Sequence, residues 1–372
     1  MIAQMLLLVP VTCDLQSICL ICFNQEGGYV LTINIRTIAE MAGVSVSTVS
    51  KIINNYSDIS EETKNKVLEI MKQTGYVPSN SAKTLATKKS NLIGVIFAGK
   101  LNIDFTHPFF VEVLNSFKKQ VGFLGYDLLF FSNEKFYAVD GEYLARCKHF
   151  QVDGCIIVTG QQVEPSIREL DMSDIPCIGV DIELKGKNSG FIMSDNYKMS
   201  YKVVEHFYLQ GFRELGYIGS TQESEISNMR EAGYKNAIDS FGLPLNEDWF
   251  VNGENFFETS GYEAMNRMIG SGSLPRAIFA ASDLIAIGAM RALKEHKLRV
   301  PQDVAIIGCD DIEACKYTSP ALTTIRQNKD KIGRLAGLML YDLMNSQSET
   351  SNVVVEPELV IRESCGSRPD NF

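Results

Sequence analysis

The sequence predicts a two-part protein: an all-α helix-turn-helix head followed by an α/β core of two doubly wound subdomains. Three observations carry this. Residues 34–56 hold two short amphipathic segments divided by Gly43. From residue 91, apolar strand-like runs alternate with helical stretches, the signature of parallel sheets. That alternation runs for about 270 residues, too many for one small sheet, so two α/β subdomains are expected.

The head comes first. Asn34 is placed to cap its first helix, because its side chain accepts from an unpaired helix-start amide. Ile38, Ala39 and Ala42 fall on one face. Gly43 stands at the turn, where a residue without Cβ reaches positive φ at little cost. Ser45 caps the second helix, whose buried face is Val49, Ile52 and Ile53 at i, i+3, i+4. Val46, Ser47, Ser50 and Lys51 are left pointing outward. Small polar groups at a helix start, followed by a cation, suit base edges and phosphates. Ser60 caps a third helix, with Glu61 and Glu62 at its positive dipole end, Val67, Ile70 and Met71 as its apolar stripe, and Gly75 closing it. A basic linker then leads to the apolar strand Leu92–Phe97.

In the core, strands are expected at 92–97, 127–131, 154–158, 177–180, 190–193, 214–218, 277–280 and 304–308, with a last strand at 353–359. Helices are expected at 109–122, 199–210, 231–241, 260–270, 284–296 and 328–345. No internal repeat stands out.

Eight motifs recur in order along the chain. They are Ala-Gly-Val-Ser-Val-Ser-Thr-Val-Ser at 42–50, Gly-Tyr-Val-Pro at 75–78, His-Pro-Phe-Phe at 107–110, Val-Asp-Gly-Cys-Ile-Ile at 152–157 and Arg-Glu-Ala-Gly-Tyr at 230–234. Ala-Ala-Ser-Asp-Leu-Ile-Ala-Ile-Gly at 280–288, Val-Pro-Gln-Asp-Val-Ala-Ile-Ile-Gly-Cys-Asp-Asp at 300–311 and Pro-Ala-Leu-Thr-Thr-Ile at 320–325 complete the set. On these motifs the chain, over residues 32–364, resembles the lactose-repressor (LacI/GalR) family of bacterial transcriptional regulators. The resemblance implies a helix-turn-helix DNA-binding domain at 32–77, a hinge helix and linker at 78–90, and a periplasmic-binding-protein-like effector core at 91–364. Within that core the first lobe would take 91–181 plus 312–346, and the second 182–311 plus 347–364. The chain would cross between lobes near Asp181–Glu183, near Asp310–Glu313 and before the last strand. Residues 365–372 are a tail.

The resemblance also implies roles. Val46 and Ser47 would choose the operator, by a thymine methyl contact and a hydrogen bond. Lys51 stands where the family usually has Arg, so it would reach guanine or phosphate without the two-pronged guanidinium fork. Asn34, Ser45, Thr48 and Ser50 would position phosphates, and Asn54 joins that surface. In the hinge, Leu85 would wedge between central base pairs, Ala82 would let two hinge helices approach, and Lys83, Lys88 and Lys89 would meet phosphates.

The expected effector is a sugar or sugar phosphate held between the lobes. Asp283 follows an apolar strand and would accept sugar hydroxyls; otherwise it is the N-cap of the next helix. Arg230 would grip a polyol or anion, or else make an inter-lobe salt bridge. Phe109 and Phe110 offer ring faces, one for stacking. His107 would donate to ligand or cap the following helix, the cap being favoured. Asp195 and Asn196 are further candidates, and Asp311 is expected to brace a crossover.

Charge fits a protein that touches phosphate at one end. The net charge of −10 splits into +3 over 32–89, from eight Lys/Arg against five Asp/Glu, and −11 over 90–372, with −2 in 1–31. Of the nine cysteines only Cys19 and Cys22 are spaced C-x-x-C, with no second ligand pair nearby, and the cysteines are expected as buried reduced thiols of a cytoplasmic protein. Residues 1–31 match nothing that follows. They have no cationic leader, and neither apolar run reaches the ~18 residues of a membrane span. Glu26-Gly27-Gly28 is encodable as a ribosome-binding site, so natural translation is expected to start at Val30, with 1–31 a non-native or disordered extension. Four histidines, with no nucleophile elbow or phosphate loop, give enzyme chemistry no footing. No cofactor, metal or membrane partner is expected. The partners are double-stranded DNA, bound by a homodimer at a palindromic operator, and the small effector. A dimer is expected because one head reads one half-site and the hinge needs its twin, with helices 109–122 and 284–296 at the interface; no leucine heptad follows Ser364 to build a tetramer. Two rivals remain: a purine corepressor or phosphorylated carrier protein as trigger, and an exported sugar-binding transport protein.

Overall fold

The computed structural model describes residues 22–23, 29–30, 33–54, 56–78, 89–98, 105–132, 142–159, 165–220, 224–345 and 352–366. The expected hinge residues Ala82, Lys83, Leu85 and Lys88 lie outside this set, as does most of the N-terminal extension. Strands β1 (Cys22–Phe23) and β2 (Tyr29–Val30) pair antiparallel. The chain divides into two compact units, Met1–Lys89 and Ser90–Phe372.

The head is three helices: α1 (Ile35–Ala42), α2 (Val46–Ile53) and α3 (Glu61–Thr74). The side chains of Asn34, Ser45 and Ser60 accept from the amides of their helix starts, as the sequence pattern predicts. Gly43 and Gly75 both end helices at φ 67°. Ile38, Ala39, Ala42, Val49, Ile52 and Val67 form the small core, while Ile53, Ile70 and Met71 pack half-buried at its rim.

The core has two six-stranded sheets. The first runs β13 (Val353–Val355), β7 (Ser189–Ser194), β6 (Cys177–Val180), β5 (Gly154–Val158), β3 (Leu92–Phe97), β4 (Asp127–Phe130), parallel throughout. The second runs β14 (Glu358–Val360), β12 (Thr323–Arg326), β11 (Ala305–Asp310), β10 (Ala277–Ala280), β8 (Leu215–Gly219), β9 (Phe250–Asn252). Only β14 is antiparallel to its neighbour there. Helices α4 (Pro108–Phe123), α5 (Tyr143–Phe150) and α6 (Pro165–Asp171) follow strands of the first sheet. Helices α7 (Asn196–Leu209), α8 (Glu225–Ser240), α9 (Glu258–Gly270) and α10 (Asp283–Glu295) serve the second lobe, and α11 (Lys329–Met344) returns to the first.

Sheet membership moves the expected lobe boundaries. β7 and β13 lie in the first sheet, and β12 in the second. The crossovers therefore fall at Asp195, at Gln327–Asn328 and at Glu356–Pro357. Asp181–Glu183 is a loop inside the first lobe, and Asp310–Glu313 a loop inside the second. The expected last strand is two strands, one in each sheet. An apolar pattern says that a segment is buried in a sheet, not in which of two sheets.

Helices α9 and α10 approach closely because Gly261 faces the Ile285 carbonyl and Gly288 faces the Glu258 carbonyl. A Cβ at Gly288 would overlap that oxygen, which belongs to backbone and cannot swing away. Gly288→Ala is expected to cost about 3 kcal/mol of core stability by overpacking. Urea unfolding checks this, and an unchanged midpoint would refute the close approach.

Among the described residues, no helix is long and apolar enough to cross a membrane, and no group of three or more His, Cys, Asp or Glu could hold a metal ion. Cys147, Cys155, Cys177, Cys309, Cys315 and Cys365 are buried outside any disulfide.

Candidate functional site

Two surfaces collect the residues singled out above. The first is the exposed side of α2. Val46 is 42% exposed, an aliphatic side chain left in water at a helix start. Beside it Ser45 Oγ lies 2.7 Å from Ser47 Oγ and 2.9 Å from Thr48 Oγ1, and accepts from the Thr48 amide. A methyl-bearing group beside three linked hydroxyls is a surface able to read thymine methyls and base edges. Lys51 pairs with Asp58, and its hydrogen bond holds the Asp58 carboxyl below its usual range. Asn34 is occupied as the cap of α1, its Oδ1 accepting from Arg36 and Thr37. Asn54 donates to the Ser50 carbonyl at 2.8 Å, so its amide is turned back onto the end of α2. That contact was not legible from spacing.

The second surface is a cleft between the two sheets of the core. His107, Phe109, Phe110, Asp181, Ile226, Arg230, Phe256, Asp310 and Gln327 line about 310 Å³ of space not filled by atoms. The polar lining follows the C-terminal ends of parallel strands, where open α/β sheets gather ligands. Asp181 follows β6 and Asp310 ends β11. Both hold positive φ, 57° and 125°, conformations that cost an L-residue energy and cluster where a site must be shaped. His107, Phe109 and Phe110 open α4 after β3. Arg230 lies on α8 after β8, and Gln327 follows β12.

Hydrogen bonding inside the cleft is incomplete. Arg230, 3% exposed, donates through Nε to Asn196 Oδ1 at 2.8 Å and through Nη1 to the Ala281 carbonyl. Neither acceptor is a carboxylate, so the alternative reading of an inter-lobe salt bridge is not what holds it. Gln327 Nε2 donates to Asp310 Oδ1 at 2.7 Å. Both ring nitrogens of His107, Oδ1 of Asp181 and Oε1 of Gln327 are buried without a protein partner. Burial lowers the His107 pKa, opposed by the Asp310 charge, which favours the neutral ring. Burial raises that of Asp181 to about 7, against the pull of the Arg230 guanidinium.

The structure corrects three expectations for this cleft. His107 precedes α4 but makes no side-chain cap bond; its ring instead sits 5.5 Å from the rings of Phe110 and Phe257. Asp283 neither lines the cleft nor caps α10. Ser282 is the cap, and the Asp283 carboxylate, fully buried, accepts from the Ile312 amide at 2.9 Å and from Thr324 Oγ1 at 2.5 Å. Asp195 is the N-cap of α7, its carboxylate accepting from the Lys198 amide, and also lies away from the cleft. Asp311 accepts from Arg326 and Arg362 and so braces a loop inside the second lobe, not the crossover expected for it. Ile226, Phe256 and Gln327 were not singled out from sequence, and Asp181 and Asp310 were read only as crossover markers. Their place directly after apolar strands is the signal that could have found the two aspartates.

Comparison with known proteins covers both surfaces. Residues 34–79 match the family described as bacterial regulatory proteins, lacI family. Residues 204–365 match the periplasmic binding protein-like domain. The chain is 32% identical over 337 residues to the HTH-type transcriptional repressor PurR of Pasteurella multocida (strain Pm70), spanning 90% of this chain and 99% of that protein. It is 31% identical to the HTH-type transcriptional regulator MalR of Clostridium butyricum, over 89% of this chain and 99% of that one. Among solved structures, the lac repressor dimer bound to operator and the anti-inducer ONPF is similar at TM-score 0.78 and 25% identity, covering 90% of this chain and 99% of that chain. The complex of the transcriptional regulator CelR with cellobiose is similar at TM-score 0.67 and 25% identity, covering 89% and 99%.

Proposed function

The chain belongs to the LacI family of bacterial regulatory proteins and is a helix-turn-helix DNA-binding transcriptional regulator; from this we propose that it is a repressor whose dimer binds a palindromic operator and whose grip is switched by a small uncharged carbohydrate in the core cleft. The observation that carries the effector half is the set of orphaned polar atoms on His107, Asp181 and Gln327, converging beside the rings of Phe109, Phe110 and Phe256. Buried polar groups without partners are costly, and a ligand that supplies the partners recovers that cost. A polyhydroxyl molecule donates to Asp181 and Gln327 and exchanges bonds with His107, while its apolar ring face meets a phenyl ring.

Charge argues for a neutral sugar over a phosphorylated one. Asp310, joined by Asp181 once the pH rises above about 7, faces one guanidinium that already spends Nε and Nη1 on Asn196 and Ala281. A phosphate there would meet like charge. The similar CelR structure holds cellobiose, which supports the carbohydrate reading. A planar purine is the second reading, favoured by the three phenyl rings of the lining.

On the DNA side, Val46, Ser47 and Lys51 read bases, and Ser45, Thr48 and Ser50 position phosphates. Asn34 and Asn54 take structural roles first, as cap and helix-end bond. Ala82, Lys83, Leu85 and Lys88 are proposed for the operator centre on the sequence motif alone.

A thermal-shift panel of neutral sugars, sugar phosphates, sugar acids and purines tests the effector. A ligand at 100 times its Kd stabilises the native state by about 2.7 kcal/mol. We expect a neutral sugar to raise the melting temperature, and His107→Ala to weaken that sugar about tenfold, the loss of one buried hydrogen bond; the sugar's shift is read against the variant's own unliganded melting temperature, since the ring also packs on Phe110 and Phe257. A shift produced by purines alone would overturn the carbohydrate reading.

A further inference from the structure

Between Arg36 and Lys64 the head has one basic residue, Lys51. It is therefore the single cation of α2, and the surrounding stretch also carries Glu40, Asp58, Glu61 and Glu62. Its ammonium lies 2.5 Å from Asp58 Oδ2, in the loop joining α2 to α3. Both side chains are about half exposed, 46% and 54%, so the pair sits in reach of a docked duplex. An ammonium has three donors. Asp58 takes one and leaves two.

Such a pair has two consequences for a helix laid against DNA. A free lysine on a four-carbon stem grips any phosphate it reaches, which adds affinity without sequence information. A lysine tethered at Nζ carries no net charge with its partner. It still has donors for guanine O6 or N7, and the tether restricts where they point. We propose that Asp58 is a positioning residue for sequence reading: it fixes the Lys51 ammonium for a base edge and cancels the charge that would otherwise hold non-operator DNA. This rests on the reading that the exposed side of α2 meets DNA through Lys51.

The test uses the full-length protein, a selected high-affinity duplex and a scrambled duplex, titrated by fluorescence anisotropy at several salt concentrations. For Asp58→Asn we expect affinity for the scrambled duplex to rise about tenfold. Its log–log salt slope should steepen by about one, the signature of one further phosphate contact. The ratio of selected to scrambled affinity should fall about tenfold. Equal gains on both duplexes would mean plain charge repulsion and overturn the proposal, as would no change on either. Lys51→Met separates the underlying reading from the inference. If that variant binds both duplexes like the wild type, Lys51 does not meet DNA and the reading itself fails. If it weakens binding, Asp58→Asn added to Lys51→Met should have no further effect on the ratio. A further effect would show that Asp58 does not act through Lys51.

Discussion

Asp283→Ala should lower the stability of the core by about 2–5 kcal/mol, before any effect on ligand binding is considered. The carboxyl is fully buried, its pKa raised to about 7 by that burial and by the Asp310 charge, and it accepts from the Ile312 amide and the Thr324 hydroxyl; the loss is therefore read at pH 5, where the group carries no charge to desolvate. These groups tie the start of α10 to the loop after β11 and to β12. Removing the carboxylate leaves both donors buried without a partner, at about 1–3 kcal/mol each. For a unit of this size that corresponds to a fall in melting temperature of roughly 5–15 °C. Asp283→Asn keeps an acceptor for the Ile312 amide and should recover most of the loss. Urea unfolding of the two variants checks this. An alanine variant as stable as the wild type would show that the strut carries no load. The consequence for function is direct: loss of effector response in Asp283→Ala would report a damaged lobe, whereas His107→Ala reports the cleft.

Asp181→Asn should act in the opposite direction and stabilise the protein at pH 8. Asp181 is also buried, but its Oδ1 has no partner. Burial raises its pKa from 3.8 to about 7; Arg230 opposes the rise and Asp310 adds to it. The sign follows. Between pH 4 and 7 the folded chain keeps a proton that the unfolded chain has released, so stability falls as pH rises through this window. The contribution is whole below about pH 4 and gone above about pH 7, a loss of about 4 kcal/mol. Asparagine is neutral throughout and removes that slope. We expect Asp181→Asn to gain about 2–4 kcal/mol at pH 8 and nothing at pH 4, measured by denaturant midpoints at both pH values. A variant less stable than the wild type at pH 8 would mean that the charge is compensated in the native state. The same change should weaken effector binding, since a site group held at a cost to stability is one a ligand can use.

These two aspartates show what could be read in advance. Asp283 stands after an apolar strand in a recognisable motif, which marks it for the site, yet it lies outside the cleft lining. Its side-chain direction was not legible, because Ser282 takes the cap and frees Asp283 to turn inward toward Thr324. Asp181 stands after an equally apolar strand, and its turn into the cleft depends on a positive φ that no neighbouring glycine announces. Gln327 and Phe256 lie on loops, where spacing predicts no direction at all.

The sequence by itself determined the head nearly to the residue. Its helices are short, capped by Asn34, Ser45 and Ser60 and ended by Gly43 and Gly75, and every one of those signals acts within four positions of chain. It also determined most core strands, since a run such as Cys155–Val158 is apolar enough to be buried on both faces. Only the tertiary structure decided which strand joined which sheet, where the chain crosses between lobes, and which side chains meet in the cleft. Those outcomes depend on contacts between segments tens to hundreds of residues apart, such as Arg230 with Asn196 and Gln327 with Asp310. Local propensity carries no information about partners that far along the chain. What selects them is the burial and hydrogen bonding available once both lobes have formed.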